Sequence, residues 1–368
     1  MVSSIEEKIK ALEEEIRKTP KNKATEVHLA KLKSKLAALK ELLETRKKAQ
    51  KKSGKITTIK KQGNATIGII GFPSVGKSSL LNALSNAESK IGDYAFTTVN
   101  IVPGMMFYKG AYIQLFDLPG IIENASKGIG MGKEILSYAR ACDLLLIMID
   151  PTKDIEHQIK TILNELHKAG FRINKPKPDI KIVKKDRGGL DIFIANHLNI
   201  KEEDVREICY EFNIHNADIV IKDAETLEDV YDALFSNRVY VKALIIINKI
   251  DLLEKRTLDD LKNKHHDWVF ISAKNGEGIE ELKERIFREL NLIRIYTKKP
   301  LQKLEDVDKE FPLILKSPCY VRDVAEKLHL LKIFKYARIC GKSVKFDGQR
   351  VGLDHKLEDE DIVEISTE

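Results

Sequence analysis

Apolar positions recur along the chain with two different periods, which predict different folds for different regions. In residues 4–18, isoleucines and leucines stand three or four positions apart, and leucines repeat in the same way over 29–43. This period predicts amphipathic helices, and the Thr-Pro-Lys-Asn sequence at 19–22 predicts a turn between them. Residues 1–61 are therefore predicted to form an antiparallel helical hairpin that ends in a Lys-rich linker.

From residue 65 onward, short apolar runs alternate with stretches of helical period. The predicted strands cover 65–71, 112–117, 143–150 and 241–248. The predicted helices cover 78–85, 132–142, 154–169 and 278–290. Strands that alternate with helices predict a parallel, doubly wound α/β sheet, which we assign to residues 62–292.

Two regions depart from this alternation. The stretch 172–189 is polar and contains Pro176, Pro178 and a Gly-Gly pair, and mixed strand and helix patterns follow it. Because a plain loop of this length is uncommon, we predict a small α/β subdomain at 172–237 that is inserted into the larger domain. Residues 293–368 combine short strands with one helix, which predicts a separate α+β domain.

Positive charge is concentrated near the start of the chain. Of 368 residues, 43% are hydrophobic and 32% are charged, and the net charge is +7. Residues 1–61 contain 18 Lys or Arg and 8 Asp or Glu, so the remainder is slightly acidic. A basic segment suits the phosphates of a nucleic acid, although a solvated helical face explains a charge bias equally well. The stretch 172–189 is a second basic candidate, with seven Lys or Arg, among them Arg172, against two Asp.

The sequence also limits the compartment. The four cysteines are far apart and show no metal-binding spacing, which predicts free thiols in a reducing cytosol. The charged N-terminus lacks the apolar core of a signal peptide, and the longest apolar runs have only the length of a strand. We therefore predict a cytoplasmic protein that does not enter membranes.

The first chemical motif is the sequence GFPSVGKS at 71–78. It matches the GxxxxGK[ST] pattern and stands between a predicted strand and a predicted helix, which is the context that the pattern requires. Glycines allow backbone N–H groups to face phosphates, and the helix N-terminus adds positive potential. In such a phosphate-binding loop, Lys77 would reach the β- and γ-phosphates, and the Ser78 hydroxyl would bind Mg²⁺.

A second motif, Asp-Leu-Pro-Gly, begins at Asp117 and ends at Gly120. Taken alone, this sequence is more often a turn. Its position one strand beyond the phosphate loop is typical of an Asp that holds Mg²⁺ through water, followed by a Gly whose N–H meets the γ-phosphate.

Two further polar sequences, NKID at 248–251 and SAK at 272–274, each follow an apolar strand. The Asp251 carboxylate would accept the two donors on the Watson–Crick edge of guanine, a pair that adenine lacks. Asn248 would hold the base edge, and the stem of Lys249 would cover the ring. An Asx-turn explains NKID as well when it is taken alone. The order of all four motifs, each at the end of a strand, favours a single crevice for GTP.

The sequence at this point resembles the translation-factor-related GTPases. That class needs a switch threonine on Mg²⁺, and YAFTTV at 94–99 is similar to the Phe-Thr-Thr of the Obg branch. The resemblance gives this role to Thr98, with Thr97 as the alternative. It also makes 120–132 the second switch, whose glycines give the backbone freedom to reorganise around the γ-phosphate.

The resemblance narrows to the developmentally regulated GTP-binding protein (DRG) family and covers essentially the whole chain. It rests on NKAT at 22–25, DLPGIIE at 117–123, KDRGG at 185–189, IHNAD at 214–218 and NRVY at 237–240. Similarity to the TGS domain of the family, a ubiquitin-like β-grasp fold found in RNA-linked proteins, rests on IRIYTK at 293–298, FKYA at 334–337 and DHKLEDED at 354–361. The compact spacing is similar to that of archaeal rather than eukaryotic members.

The resemblance implies a complete set of site residues. Those expected to contact GTP are Gly71, Phe72, Pro73, Ser74, Val75, Gly76, Lys77, Ser78, Ser79, Phe96, Thr97, Thr98, Asp117, Gly120, Asn248, Lys249, Asp251, Ser272, Ala273 and Lys274. The expected catalytic groups are Lys77, Thr98 and Gly120. Ser78 and Thr98 would bind Mg²⁺ directly, with Asp117 acting through water. The implied partners are GTP and GDP, the ribosome or RNA, and a zinc-finger DRG-family regulatory protein.

One position predicts an unusual catalyst. Ile121 stands where Ras-type enzymes place a Gln that orients the attacking water, and an aliphatic side chain cannot hydrogen-bond water. The catalytic group must then be another switch residue, a monovalent cation, a backbone group or a partner. Related GTPases hold potassium with an Asn where this chain has Ser74, so a potassium requirement stays open. We expect a regulatory protein of translation with slow hydrolysis; the alternative is a GTP-dependent RNA-binding scaffold with negligible hydrolysis.

Overall fold

A computed structural model of the chain describes residues 2–20, 29, 32, 35–36, 39–40, 62–85, 103–118, 133–235, 238–299 and 302–367. The chain divides into two compact units. One unit comprises Met1–Ile56 and Lys175–Tyr240, and the other comprises Thr57–Asn174 and Val241–Glu368. Most of the N-terminal region and most of the insertion belong to the same unit; the domain bounds given by the sequence stay a prediction.

The helices and strands of the described residues are numbered in chain order. The helices are α1 (Val2–Lys18), α2 (Lys77–Leu84), α3 (Lys133–Ala141), α4 (Ile155–Lys168), α5 (Glu202–Glu211), α6 (Leu227–Leu234), α7 (Lys255–Lys264), α8 (Ile279–Glu289) and α9 (Val321–Lys327). The strands are β1 (Ala65–Gly71), β2 (Pro103–Tyr108), β3 (Ala111–Asp117), β4 (Leu144–Ile149), β5 (Phe171–Ile173), β6 (Asp179–Lys184), β7 (Leu190–Ile194), β8 (Ala217–Asp223), β9 (Val239–Ile247), β10 (Val269–Phe270), β11 (Leu292–Thr297), β12 (Leu313–Lys316), β13 (Cys319–Tyr320), β14 (Phe334–Cys340), β15 (Gln349–Val351), β16 (Lys356–Leu357) and β17 (Ile362–Thr367).

A seven-stranded sheet has the order β10-β9-β4-β1-β3-β2, with β5 beside β9. Neighbours from β10 to β3 along this path pair in parallel. Strand β2 runs antiparallel to β3, so the prediction of a parallel sheet is wrong at this edge. Every residue of β1 and β4 is buried, and strands buried on both faces read as uninterrupted apolar runs rather than alternating ones.

The parallel pairing fixes where the site must lie. Strands β1, β3, β4 and β9 all point the same way, so the chain leaves each of them at the same edge of the sheet. Helices α2 and α8 bury their apolar faces in the core of this sheet, through residues such as Leu80, Leu84, Leu282 and Ile286. The rigid sheet therefore holds the loops that follow its strands.

The insertion contains a sheet of its own, with the order β6-β8-β7. Strand β8 pairs antiparallel with β6 and parallel with β7. Helices α5 and α6 supply buried Val205, Ile208 and Val230 to its core. The predicted inserted α/β sheet is thus confirmed, but β6 lies in the stretch 172–189, which the sequence shows only as polar. Residues 172–173 of that stretch belong to β5, which pairs with β9 of the larger sheet. In β6, half-buried Ile180 and Ile182 alternate with exposed residues, which is the pattern of a strand with one solvated face.

The N-terminal region contributes α1 and an apolar cluster. Leu32 and Leu39 pack with Ile9 and Leu12 of α1, so the two predicted apolar stripes meet. The Lys35 ammonium lies 2.8 Å from a carboxylate oxygen of Glu211 in α5. Other residues of the predicted hairpin lie outside the described part of the chain.

The C-terminal region forms a five-stranded mixed sheet with the order β12-β11-β17-β14-β15, and β13 pairs with β16. Helix α9 buries Val321, Val324 and Ala325 against this sheet. The predicted α+β character is confirmed. Within the described residues of the whole chain, no helix combines the length and the apolar character that crossing a bilayer requires.

Candidate nucleotide site

The loop between β1 and α2 is held close to neighbouring strands by its glycines. Gly76 has φ +101°, a left-handed conformation, and a Cβ there would lie 2.4 Å from Asn248 Nδ2. A Cβ on Gly71 would lie 2.7 Å from the Met148 carbonyl oxygen. Both positions therefore require glycine, one for backbone conformation and space and the other for space alone. Val75 in the same loop is buried in the core, which fixes the loop to the sheet.

The Lys77 side chain curls back over this loop. Its ammonium donates to the carbonyl oxygens of Gly71 and Phe72, both at 3.1 Å. The ammonium therefore lies over the concave face of the loop, where it would contact an anion bound there. Phe72 packs against the core, whereas Pro73, Ser74, Ser78 and Ser79 are exposed.

Asp117, at the end of β3, meets the start of α2. Ser78 Oγ donates to Asp117 Oδ2 at 3.0 Å. The other carboxylate oxygen, Asp117 Oδ1, is buried and has no hydrogen-bond partner among the described residues. A hydroxyl beside a carboxylate with an oxygen to spare is a hard, oxygen-based donor set, which fits Mg²⁺. The described residues contain no cluster of three or more His, Cys, Asp or Glu side chains suited to a metal.

Asn248 joins three loops of the site. Its Nδ2 donates to the Val75 carbonyl oxygen at 2.8 Å, and its Oδ1 accepts from the Ala273 backbone N–H at 2.9 Å. The side chain is buried. The phosphate loop, the loop after β9 and the loop after β10 are thereby fixed to one another.

Asp251 is oriented from the loop after β10. Ser272 Oγ donates to Asp251 Oδ1 at 2.6 Å. Ser272 is fully buried, while Asp251 is exposed. One carboxylate oxygen is thus fixed by a buried hydroxyl, and the side chain still faces solvent. Lys274, the last predicted residue of this loop, is exposed.

The Lys249 ammonium contacts a residue for which the sequence predicts no role. Lys249 has φ +63°, and its Nζ lies 2.6 Å from Asp150 Oδ2. Asp150 directly follows β4. Asp150 shares with Asp117 a place at the end of an apolar strand, but it lacks the Asp-x-x-Gly sequence that marks Asp117.

The structure brings together the predicted residues of four loops: 71–79, Asp117, 248–251 and 272–274. The predicted residues Phe96, Thr97, Thr98 and Gly120 lie outside the described part of the chain, as does Ile121. None of the four cysteines forms a disulfide.

Comparisons with known families divide the chain into three parts. Residues 66–185 match the family described as 50S ribosome-binding GTPase, and residues 187–292 match the C-terminal region of the same domain. Residues 293–367 match the TGS domain.

Whole-length relatives come from archaea and eukaryotes. An uncharacterized GTP-binding protein of Methanocaldococcus jannaschii is 46% identical over 99% of this chain and 93% of its own. Developmentally-regulated GTP-binding protein 1 of Xenopus laevis is 42% identical over 97% and 98%. Ribosome-interacting GTPase 1 of Saccharomyces cerevisiae is 41% identical over 99% of both chains.

The sheet, the phosphate loop and the family matches define a P-loop GTPase with a C-terminal TGS domain. Relatives of this identity and length narrow the class further. The chain belongs to the DRG family of Obg-related GTPases, as its sequence motifs predicted.

Proposed function

We propose that this protein is a regulatory GTPase of translation whose intrinsic hydrolysis is slow and whose flanking regions contact the ribosome, RNA or a zinc-finger helper protein. The observation that carries the proposal is the meeting of Lys77, Asp117, Asn248 and Asp251 at one edge of the sheet. This edge combines a phosphate-binding loop with a carboxylate suited to guanine. We assign the GTPase domain to 62–292.

The base would be read by groups that are already oriented. The Asp251 carboxylate would accept from N1–H and the 2-amino group of guanine, and Ser272 would keep it aligned. Asn248 would brace the loops on both sides of the base, because its amide joins Val75 to Ala273. The Ala273 N–H is engaged by Asn248, so another N–H of the 272–274 loop would serve guanine O6.

The phosphates would be held by the loop and by Lys77. Lys77 would exchange its two carbonyl contacts for phosphate oxygens, which are stronger acceptors because they are charged. Ser78, Thr98 and, through water, Asp117 are the residues that would hold Mg²⁺, which when bound neutralises charge on the β- and γ-phosphates. Gly120 would approach the γ-phosphate through its N–H.

Asp251→Asn tests the guanine assignment. An Asn amide presents one donor and one acceptor, so GTP affinity should fall and affinity for xanthosine triphosphate, which has a carbonyl at position 2, should rise. Asp260→Asn, on the exposed surface of α7, is the matched control. Nucleotide affinity measured by titration calorimetry checks the prediction, and an unchanged preference among GTP, XTP and ATP would refute the assignment.

Slow hydrolysis is proposed from Ile121, whose side chain cannot orient water. Single-turnover hydrolysis should be slow for the purified protein and faster when ribosomes are added. Ile121→Gln should bring little benefit, because the group that replaces the Gln lies elsewhere. Potassium and sodium buffers should be compared, since Ser74 offers no amide for a monovalent cation. Fast hydrolysis without a partner would contradict the proposal, and none with ribosomes would favour the scaffold alternative.

Fewer basic residues of the stretch 172–189 are available to bind a partner than its composition suggests. Arg172 is buried and donates to the His167 and Phe171 carbonyl oxygens, both at 3.2 Å. Lys185 is paired with Asp191 and Asp218. The positions left exposed to solvent are Lys175, Lys177, Lys181, Lys184 and Arg187. We propose these five for contact with RNA phosphates; the ribosome interaction named for the yeast relative supports this direction.

Co-sedimentation with ribosomes tests the partner. Binding should differ among the GTP, GDP and nucleotide-free states and should weaken as salt rises, because phosphate contacts release counterions. The double variant Lys177→Glu/Lys184→Glu should weaken binding and reduce its salt dependence. Lys255→Glu, an exposed lysine of α7, is the control. Ribosome binding that ignores both nucleotide and salt would contradict the proposal.

A further inference from the structure

The carboxylate of Asp150, directly after β4, is almost completely buried although it takes part in an ion pair. The Asp150 side chain is 2% exposed, and the Lys249 side chain that it contacts is 30% exposed. A buried carboxylate is costly unless it is paired and hydrogen-bonded. Asp150 meets both conditions, which indicates a built interaction rather than a chance surface contact.

Asp150 is fixed from several directions. Its Oδ1 accepts from the Thr152 backbone N–H at 3.0 Å and from the Thr152 hydroxyl at 2.6 Å. Its backbone N–H donates to Gln158 Oε1 at 3.1 Å, and its carbonyl oxygen accepts from Gln158 Nε2 at 2.8 Å. Gln158 is itself buried in α4. Asp150 Oδ2 is thereby held in one place and receives the Lys249 ammonium.

The charge state agrees with this geometry. Burial raises the pKa of Asp150, but the hydrogen bonds from Lys249 and Thr152 more than offset it, so the pKa lies below its ordinary value. The carboxylate is therefore ionised at neutral pH and attracts Lys249 with a full charge.

Lys249 stands between the two residues that orient the proposed base site. Asn248 precedes it and joins the phosphate loop to Ala273. Asp251 follows two positions later and accepts a hydrogen bond from the Ser272 hydroxyl. A lysine side chain rotates about the bonds between its four methylene groups, and fixing the ammonium removes most of this rotamer freedom. Its left-handed backbone and its fixed ammonium together restrict where the stem can lie.

We propose that Asp150 is a positioning residue for guanine: it anchors the Lys249 ammonium so that the aliphatic stem covers the base and slows nucleotide dissociation. This inference rests on the proposed base site. Asp150 itself touches neither base nor phosphate in this scheme. It acts before the nucleotide arrives, because the entropy of ordering Lys249 has already been lost.

The experiment compares dissociation rates of a fluorescent GDP from four proteins: wild type, Asp150→Asn, Lys249→Met and the double variant. Asp150→Asn should raise the dissociation rate about tenfold, the change expected when a charge-assisted hydrogen bond is lost. Lys249→Met keeps an apolar stem but removes the anchor, so adding Asp150→Asn to it should change the rate little further.

A second ligand separates positioning from general support. Inorganic tripolyphosphate occupies the phosphate loop without a base, so its competition with GDP should be unchanged by Asp150→Asn once the altered GDP affinity is taken into account. Equal weakening of tripolyphosphate and GDP would mean that the pair only supports the fold, and would overturn the inference. Thr152→Val, an exposed position, is the milder variant if Asp150→Asn does not fold; it should raise the GDP dissociation rate by a few-fold.

Two failures can be told apart. If Asp251→Asn leaves guanine preference unchanged, the base site itself is misassigned. If Asp251→Asn alters the preference but Asp150→Asn and Thr152→Val leave GDP dissociation unchanged, the base site stands and the role of Asp150 is refuted.

Discussion

Asn248 Nδ2 donates to the Val75 carbonyl oxygen across 2.8 Å, so the first residue after β9 is bonded to the loop that follows β1. The two residues are 173 positions apart in sequence. This hydrogen bond connects the phosphate loop to the predicted base-reading loop. A substitution that disturbs one loop should therefore also disturb the other.

Asn248→Ala should weaken GTP and GDP alike and also destabilise the fold. The variant leaves the Val75 carbonyl and the Ala273 N–H without their partner in a buried place, which costs about 2 kcal/mol of the free energy of unfolding. Nucleotide titration and thermal unfolding of the nucleotide-free protein check this. Asn275→Ala, at an exposed position of the loop after β10, is the control and should change neither. Normal stability with lost affinity would mean that Asn248 acts only on the base.

Gly76→Ala should abolish tight nucleotide binding. The new Cβ would meet Asn248 Nδ2 at 2.4 Å, and φ +101° is strained for any residue with a side chain. A cost of about 1.4 kcal/mol already corresponds to a tenfold loss in affinity, and this clash should exceed it. Gly352→Ala meets nothing within 4 Å and is the matched control. Tight GDP binding by Gly76→Ala would show that the loop can shift away from Asn248.

Ser272→Ala should lower GTP affinity by less than Asp251→Asn does. The variant removes the 2.6 Å hydrogen bond that orients the Asp251 carboxylate but leaves its charge. A net hydrogen bond to a charged group contributes about 1.5–3 kcal/mol, of which only the orienting part should be lost, because water can replace the hydroxyl. The ratio of GTP to inosine triphosphate affinity measures the effect, since inosine lacks the 2-amino group. An unchanged ratio would assign Ser272 to the fold alone.

The C-terminal domain should lose local stability in acid. Burial raises the pKa of Asp359, but hydrogen bonds from Arg294 outweigh it, so the folded-state pKa lies below its ordinary value. A carboxylate of this kind stabilises the folded state above its unfolded pKa of about 3.9, and the stabilisation disappears as pH falls through the lower folded-state value. Arg294 Nη2 and Asp359 Oδ2 are 2.7 Å apart. Hydrogen exchange of β11 should therefore differ between wild type and Asp359→Asn at pH 5, and the difference should shrink below pH 4. A constant difference would contradict the assignment.

Much of the fold could be predicted from local patterns. Strand β1 has the bounds that its apolar run predicted, and α2, β3 and β4 begin and end within one residue of theirs. Buried strands and amphipathic helices give such patterns because each face of the element keeps the same environment along its whole length. Strands β2, β5 and β6 were missed, since short or half-exposed strands do not leave a clear period.

The candidate site divides in the same way. The loop 71–78, Asp117 and Asp251 carry motifs whose residue types are required by phosphate, Mg²⁺ and guanine, so the sequence alone predicts them. Asp150 carries no motif: an aspartate at the end of a strand has no meaning until the neighbouring strand places Lys249 beside it.

The sequence by itself determined the class of fold, the nucleotide motifs and the family, because these depend on residue type and local order. Only the tertiary structure decided that Arg172 is buried rather than available to RNA, and that Lys35 of the N-terminal region pairs with Glu211 of the insertion. It also decided that Asn248 bonds to Val75 and that Asp150 holds Lys249. The first of these facts is the burial of a side chain, and the other three are contacts between residues far apart in the sequence. Burial and contact both depend on positions in space, which spacing along the sequence does not record.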